Sequence, residues 1–82
     1  MSPDEALHRF VGALTEVAPE VDPATLDPDA DLFAQVDIDS MDLLTVLEII
    51  RERTGVDVPE DDYAALATPR LAAAYIAERA GG

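Results

Sequence analysis

The sequence of 82 residues contains no cysteine, no lysine and no tryptophan. Without cysteine, the chain cannot form a disulfide framework, a thiolate zinc site or a cysteine nucleophile. Only 5% of the residues are aromatic, so a core must consist mainly of leucine, isoleucine, valine and alanine. The chain also lacks an apolar run long enough to cross a membrane, and its start lacks the features of a secretory signal. These absences predict a cytoplasmic protein that is stabilised by helix packing alone.

Positive charge is also scarce, because five arginines face 18 acidic residues and the formal net charge is -13 at pH 7. This charge repels the phosphates of nucleic acids and the headgroups of anionic membranes, so neither is expected as a partner. Proteins that present basic patches are favoured instead. We expect a monomer whose partners are other proteins.

Apolar residues make up 49% of the chain and recur with helical periods, which predicts an all-α protein. We expect one domain over residues 1–82, folded as a four-helix bundle with three longer helices, one short helix and a long first loop. Ser2 caps the first helix, which ends before Pro19. The loop covers residues 18–39, where prolines and acids interrupt the helical pattern. Several apolar residues can hold this loop on the core: Val21, Leu26, Leu32, Phe33, Val36 and Ile38.

The later helices have capping residues at their predicted ends. Asp39 is the expected N-cap of the second helix, and Gly55 is its expected stop. The short helix begins at Pro59, and Thr68 caps the last helix, which we expect to fray at Gly81-Gly82. The inward face of the last helix is predicted to contain Leu71, Ala74, Tyr75 and Ile76.

Ser40 is the serine that helix capping does not explain. Asp39 already serves as the cap and forms a capping-box pair with Asp42, so Ser40 falls in the first turn with an exposed hydroxyl. The unpaired N–H groups at that end of a helix can stabilise an anion such as a phosphodiester attached to Ser40. Position alone also fits a plain polar residue of the first turn, or Ser40 as the cap itself, and leaves these alternatives open.

The segment from Val36 to Leu44 resembles the phosphopantetheine attachment motif of acyl carrier proteins, in which Asp-Ser and Leu or Met precede an amphipathic helix. The resemblance extends over essentially the whole chain and rests on further segments: Asp31-Leu32-Phe33, Gly55-Val56-Asp57-Val58-Pro59, Thr68 and Tyr75-Ile76. It implies a discrete, stand-alone carrier that is not an enzyme. A phosphopantetheinyl transferase would move 4′-phosphopantetheine from coenzyme A to Ser40, and acyl groups would then be held as thioesters on the thiol of that arm. The resemblance further implies that small core residues open slightly around an acyl chain: Val46, Leu47, Ile50, Val58, Leu66, Leu71 and Ile76.

The resemblance also implies the partners. Beyond the transferase, they are an acyltransferase or acyl ligase, a ketosynthase and other acyl-processing enzymes of polyketide, fatty-acid or related biosynthesis. Their basic patches would meet acids near the attachment site and along the second helix: Asp37, Asp42, Glu48 and Glu52. The sequence departs from the family where Asp37 replaces a usual glycine, and where Thr45 and Arg51 occupy positions that are often acidic. These departures predict altered partner recognition.

Two other patterns in the sequence carry less weight. Asp27-x-Asp29-x-Asp31 imitates the start of an EF-hand, but Leu32 and Ile38 stand where that calcium loop needs Gly and Glu. We therefore predict no calcium-sensor site and assign no metal ligand, while a weak divalent-ion site among these acids stays an alternative. His8 is the only histidine and belongs to the first helix, where we expect a solvated side chain rather than a general base. No catalytic residue is predicted.

Three alternatives to an acyl carrier remain to be weighed. Peptidyl or aminoacyl carriers usually have Gly-Gly-x-Ser where this chain has Ile38-Asp39-Ser40, which favours acyl cargo. An acidic helical interaction module with an unmodified Ser40 has the same fold and stays an alternative. The Gly81-Gly82 end is typical of ubiquitin-like modifiers, but those need a β-sheet that the helical periods do not support.

Overall fold

The computed structural model describes residues 1–80, and within them only helices, turns and irregular connections are found. The helices are α1 (Pro3–Val17), α2 (Leu32–Gln35), α3 (Ser40–Thr54), a 3-10 helix (Glu60–Leu66) and α4 (Pro69–Ala80). The predicted all-α bundle with three longer helices is confirmed. One difference is α2, a single turn inside the segment that was predicted as an irregular loop. The predicted fraying at Gly81-Gly82 lies outside the described residues.

Side chains cap the starts of α1 and α4 as the sequence predicts. The Glu5 amide donates to Ser2 Oγ at 3.1 Å at the start of α1. At the start of α4, the Leu71 amide donates to Thr68 Oγ1, also at 3.1 Å. Such bonds satisfy amides that have no partner within the helix. Gly55 ends α3 with a φ of 77°, the left-handed conformation that glycine adopts without a Cβ penalty.

The three longer helices share one hydrophobic core, in which α4 packs chiefly on α1. Two of the four buried residues of α4 are alanines, whose small side chains favour close packing of the helix on its neighbour. The buried residues of the longer helices are Ala6, Phe10, Ala13 and Leu14 of α1, Leu43, Val46, Leu47 and Ile50 of α3, and Pro69, Ala72, Ala73 and Ile76 of α4. No helix within residues 1–80 has the length and hydropathy that a membrane span requires.

The predicted inward face of α4 is wrong at two positions. Leu71 is 51% exposed and Ala74 also faces solvent, because the side of the helix that carries Ala72, Ala73 and Ile76 is the one turned inward. Leu71 therefore does not belong to the core that was expected to open around a cargo. Phe33 is 45% exposed and does not hold the loop, whereas Leu32 and Val36 are buried as predicted.

Hydrogen bonds fasten the long first loop to itself and to the end of the 3-10 helix. Gln35 Nε2 donates to the Asp27 carbonyl oxygen at 2.7 Å, and Gln35 Oε1 accepts from the Asp27 amide at 2.9 Å. The Leu32 amide donates to the carbonyl oxygen of Ala67 at 2.8 Å. Val36, near the end of this loop, is also buried, so the backbone that leads into α3 is held against the core.

Candidate functional site

Ser40 is the first residue of α3 and is exposed. The residues on either side form a capping box: the Asp42 amide donates to Asp39 Oδ1 at 2.9 Å, and the Asp39 amide donates to Asp42 Oδ2 at 3.2 Å. Because Asp39 is the cap, the reading of Ser40 as the cap is wrong. The predicted first-turn position and exposure of Ser40 are confirmed.

The Ser40 hydroxyl differs from every other serine and threonine hydroxyl in residues 1–80. The other six each make a hydrogen bond to the backbone, as donor or as acceptor, whereas the Ser40 hydroxyl makes none within this part of the chain. The six engaged residues are Ser2, Thr15, Thr25, Thr45, Thr54 and Thr68. A hydroxyl in water with no internal partner can be modified without breaking a bond of the fold.

Acidic side chains surround Ser40, as the sequence predicts. Asp37 and Asp39 are exposed just before α3, and Asp42 is half-buried in its first turn. Negative charge is favourable there, because the first amides of a helix carry a partial positive charge. Glu48 and Glu52 are also exposed, but they lie about 12 and 18 Å further along the helix at its rise of ~1.5 Å per residue. The structure therefore gathers the three aspartates at the start of α3 and leaves the glutamates apart from them.

Two apolar side chains beside Ser40 were not singled out from the sequence as site residues. Met41 is 70% exposed and Leu44 is 47% exposed, on the turn that follows the serine. Their positions in the helical repeat could have identified them, since both fall outside the stripe of buried residues on α3. These two side chains place an apolar surface beside the exposed Ser40 hydroxyl.

A shallow cleft of about 180 Å³ opens beside this surface, between α3 and the segment that leads into the 3-10 helix. Its apolar walls are nearly buried: Leu47 is 8% exposed and Val58 is 7% exposed. The complete lining is Leu44, Leu47, Glu48, Arg51, Asp57, Val58 and Tyr63. The cleft is thus the place near α3 where solvent reaches the edge of the core.

The structure does not bring His8 to Ser40. His8 is exposed on α1 and lines a groove with Gly12 and Arg53. Arg53 lies near the far end of α3, about 20 Å along the helix axis from Ser40 at ~1.5 Å per residue. His8 therefore has no place in chemistry at the serine.

The aspartates of the EF-hand-like run are engaged in the loop itself. Asp27 Oδ1 accepts from the Asp29 amide at 2.9 Å, and the Asp29 carboxylate pairs with Arg70. Within residues 1–80 no group of three or more histidine, cysteine or acidic side chains is placed to hold a metal ion.

An exposed hydroxyl of this kind, with no histidine beside it, can accept a group that a separate enzyme delivers. The comparison with protein families gives the particular family: a family model described as phosphopantetheine attachment site matches residues 6–76. The chain belongs to this phosphopantetheine-binding family, whose domain is the site of covalent 4′-phosphopantetheine attachment. A comparison with curated proteins finds no match to the chain.

The residues at the start of α3 fit such a group. The Ser40 oxygen is accessible, and the Ser40 and Met41 amides have no carbonyl partner within the helix, so they can face a phosphodiester. The nearby Asp39 and Asp42 carboxylates already accept hydrogen bonds from amides of this turn. A phosphodiester at Ser40 would start from an exposed oxygen that lies near the exposed side chains of Met41 and Leu44.

Proposed function

We propose that this protein is an acyl carrier whose 4′-phosphopantetheine arm is attached to Ser40 Oγ. The observation that carries the proposal is the free Ser40 hydroxyl, the one serine hydroxyl within the family-matched residues 6–76. The other serine of the chain, Ser2, lies outside that span, and its oxygen caps α1. Family, exposure and hydrogen bonding therefore all favour the same atom.

Attachment of the arm is a transfer from coenzyme A by a phosphopantetheinyl transferase. Ser40 Oγ forms a bond to the phosphorus that bears the pantetheine, and the pyrophosphate P–O bond breaks. Adenosine 3′,5′-bisphosphate leaves, and the serine proton goes to a base of the transferase. The chain contributes the nucleophile, its exposure and the positive end of α3.

The attached arm supplies a thiol on which an acyl group is held as a thioester. The chain has no cysteine, so that thiol has no competitor within the protein. We place the protein in the cytoplasm as one non-catalytic domain that serves acyl-processing enzymes of polyketide, fatty-acid or related biosynthesis. The absence of Gly-Gly before the serine supports acyl over aminoacyl cargo.

Intact-protein mass spectrometry tests the attachment directly. After incubation with coenzyme A and a broad-specificity phosphopantetheinyl transferase, we expect the wild type to gain the mass of one phosphopantetheine. Ser40→Ala should gain none, while the matched control Ser2→Ala should be modified like the wild type. A wild type that stays unmodified would favour the acidic interaction module instead. Modification of Ser40→Ala would place the arm at another residue.

A further inference from the structure

Arg51 differs from the other four arginines in residues 1–80. Each of those four pairs with a carboxylate: Arg9 with Glu5, Arg53 with Glu16, Arg70 with Asp29 and Arg79 with Asp62. Arg51 has no carboxylate of the described residues within 4.0 Å, although Glu48 and Asp57 line the same cleft. Although the chain has 18 acids, Arg51 pairs with none of those described, so its guanidinium can pair with a carboxylate of another molecule.

Arg51 shares the outer face of α3 with Ser40. The two residues are separated by about three turns, or about 16 Å along the axis at ~1.5 Å per residue. Between them lie the exposed Leu44 and Glu48. An enzyme that contacts this face must therefore meet a hydroxyl, an apolar patch, a negative charge and a positive charge in that order.

We infer that Arg51 is a specificity residue for the transferase that modifies Ser40, and that this enzyme presents an acidic side chain to it. The inference rests on the proposed function. A docking surface that is basic throughout would match the exposed Asp39 and Glu48 but would set like charges against Arg51, and such juxtaposition is strongly unfavourable. The matching surface carries basic groups at the serine end and a carboxylate about 16 Å away.

Helix electrostatics offers a different role for Arg51, since basic residues in the last turn stabilise a helix C-terminus. Arg53 lies in the same last turn and shares that role. Arg53 pairs with Glu16 of α1, so it is directed to a neighbouring helix and not to the outer face. Charge reversal at Arg53 is therefore a matched control, with the same change in net charge on the same helix.

The experiment compares kcat/KM for transfer from coenzyme A to Ser40 by the transferase of the protein's own host. We expect Arg51→Glu to lower kcat/KM about tenfold, mainly through KM, and Arg51→Gln to lower it by less. Arg51→Lys and Arg53→Glu should stay within about twofold of the wild type. The deficit of Arg51→Glu should shrink as salt is raised, because screening weakens an exposed charge contact.

The inference is overturned by equal kinetics for Arg51→Glu and Arg53→Glu, or by faster modification of Arg51→Glu than of the wild type. Circular dichroism confirms that each variant is folded. A wild type that the transferase does not modify at all removes the proposed function, and the inference falls with it. Normal modification of both the wild type and Arg51→Glu removes the inference alone.

Discussion

α4 and α3 differ in how their outward side chains are used. On α4, Tyr75 donates to Asp62 Oδ2 at 2.6 Å, and Arg79 lies 4.0 Å from the centre of the Tyr75 ring. On the outer face of α3, the Ser40 hydroxyl and the Arg51 guanidinium have no such partner within residues 1–80. Tyr75 and Arg79 of α4 are therefore engaged within the fold, whereas Ser40 and Arg51 on α3 are not engaged within the same residues.

The largest expected effect is on the free energy of unfolding, when one apolar side chain is shortened in each of the two helices. Ile76 of α4 is fully buried, so Ile76→Ala should lower the free energy of unfolding by about 2–5 kcal/mol. Leu44 of α3 is 47% exposed, so Leu44→Ala should change it by no more than about 0.5 kcal/mol. Urea denaturation followed by circular dichroism measures both. Similar losses in the two variants would show that the outer face of α3 also supports the fold.

Leu71 shows what the sequence could not predict on α4. The run Leu71–Ala77 is apolar throughout, so hydrophobic periodicity does not decide which side of the helix faces inward. Packing decides it instead: Ala72, Ala73 and Ile76 are buried in the core, whereas Leu71 is left in solvent. That choice depends on how the helices pack together, which a single sequence does not give.

The start of α3 could be predicted because its signals are local. Asp39 and Asp42 are three residues apart, so the capping box and the position of Ser40 follow from the sequence alone. The turn α2 depends instead on the contacts of Gln35 across eight residues, and so was missed. The isolation of Arg51 likewise depends on distances to side chains elsewhere in the fold.

The second-largest effect is expected from breaking the capping box that Asp39 and Asp42 form at the start of α3. Asp39→Ala should lower the free energy of unfolding by about 1 kcal/mol, because the Asp42 amide loses its acceptor. Asp39→Asn keeps a side-chain oxygen and should lower the free energy of unfolding by only about a few tenths of a kcal/mol, since asparagine is also a good N-cap. Urea denaturation measures both variants. Equal losses would mean that the charge of Asp39, and not its hydrogen bond, holds the start of α3.

A smaller, pH-dependent effect tests the contacts of α4. The hydrogen bond to Asp62 is the main cause that raises the pKa of Tyr75 above its ordinary value, and Arg79 opposes it. The folded state therefore holds the phenolic proton more tightly than the unfolded chain. The resulting stability is present in full below the unfolded pKa and is lost as the pH rises through the folded pKa.

Absorbance titration measures this pKa without ambiguity in a Tyr63→Phe background, where Tyr75 is the only tyrosine. We expect Asp62→Asn in that background to move the pKa of Tyr75 down toward its ordinary value. The same substitution should make thermal stability less sensitive to pH in the alkaline range. A pKa that does not move would show that Asp62 does not accept this hydrogen bond in solution.

The smallest expected effect is the salt dependence of the melting temperature, to which α4 and the start of α3 contribute with opposite signs. Screening weakens the ion pairs of α4, but it also relieves the repulsion among acids such as Asp37 and Asp42 around the start of α3. Since 18 acids face five arginines, the relief of repulsion should outweigh the weakening of the ion pairs. We expect the melting temperature to rise by about 2–3 °C between about 10 and about 200 mM NaCl. Asp37→Asn should raise it at low salt only, because screening already removes the same repulsion at high salt. A melting temperature that fell with salt would mean that the ion pairs outweigh the repulsion, and that α4 stabilises the fold by charge as well as by packing.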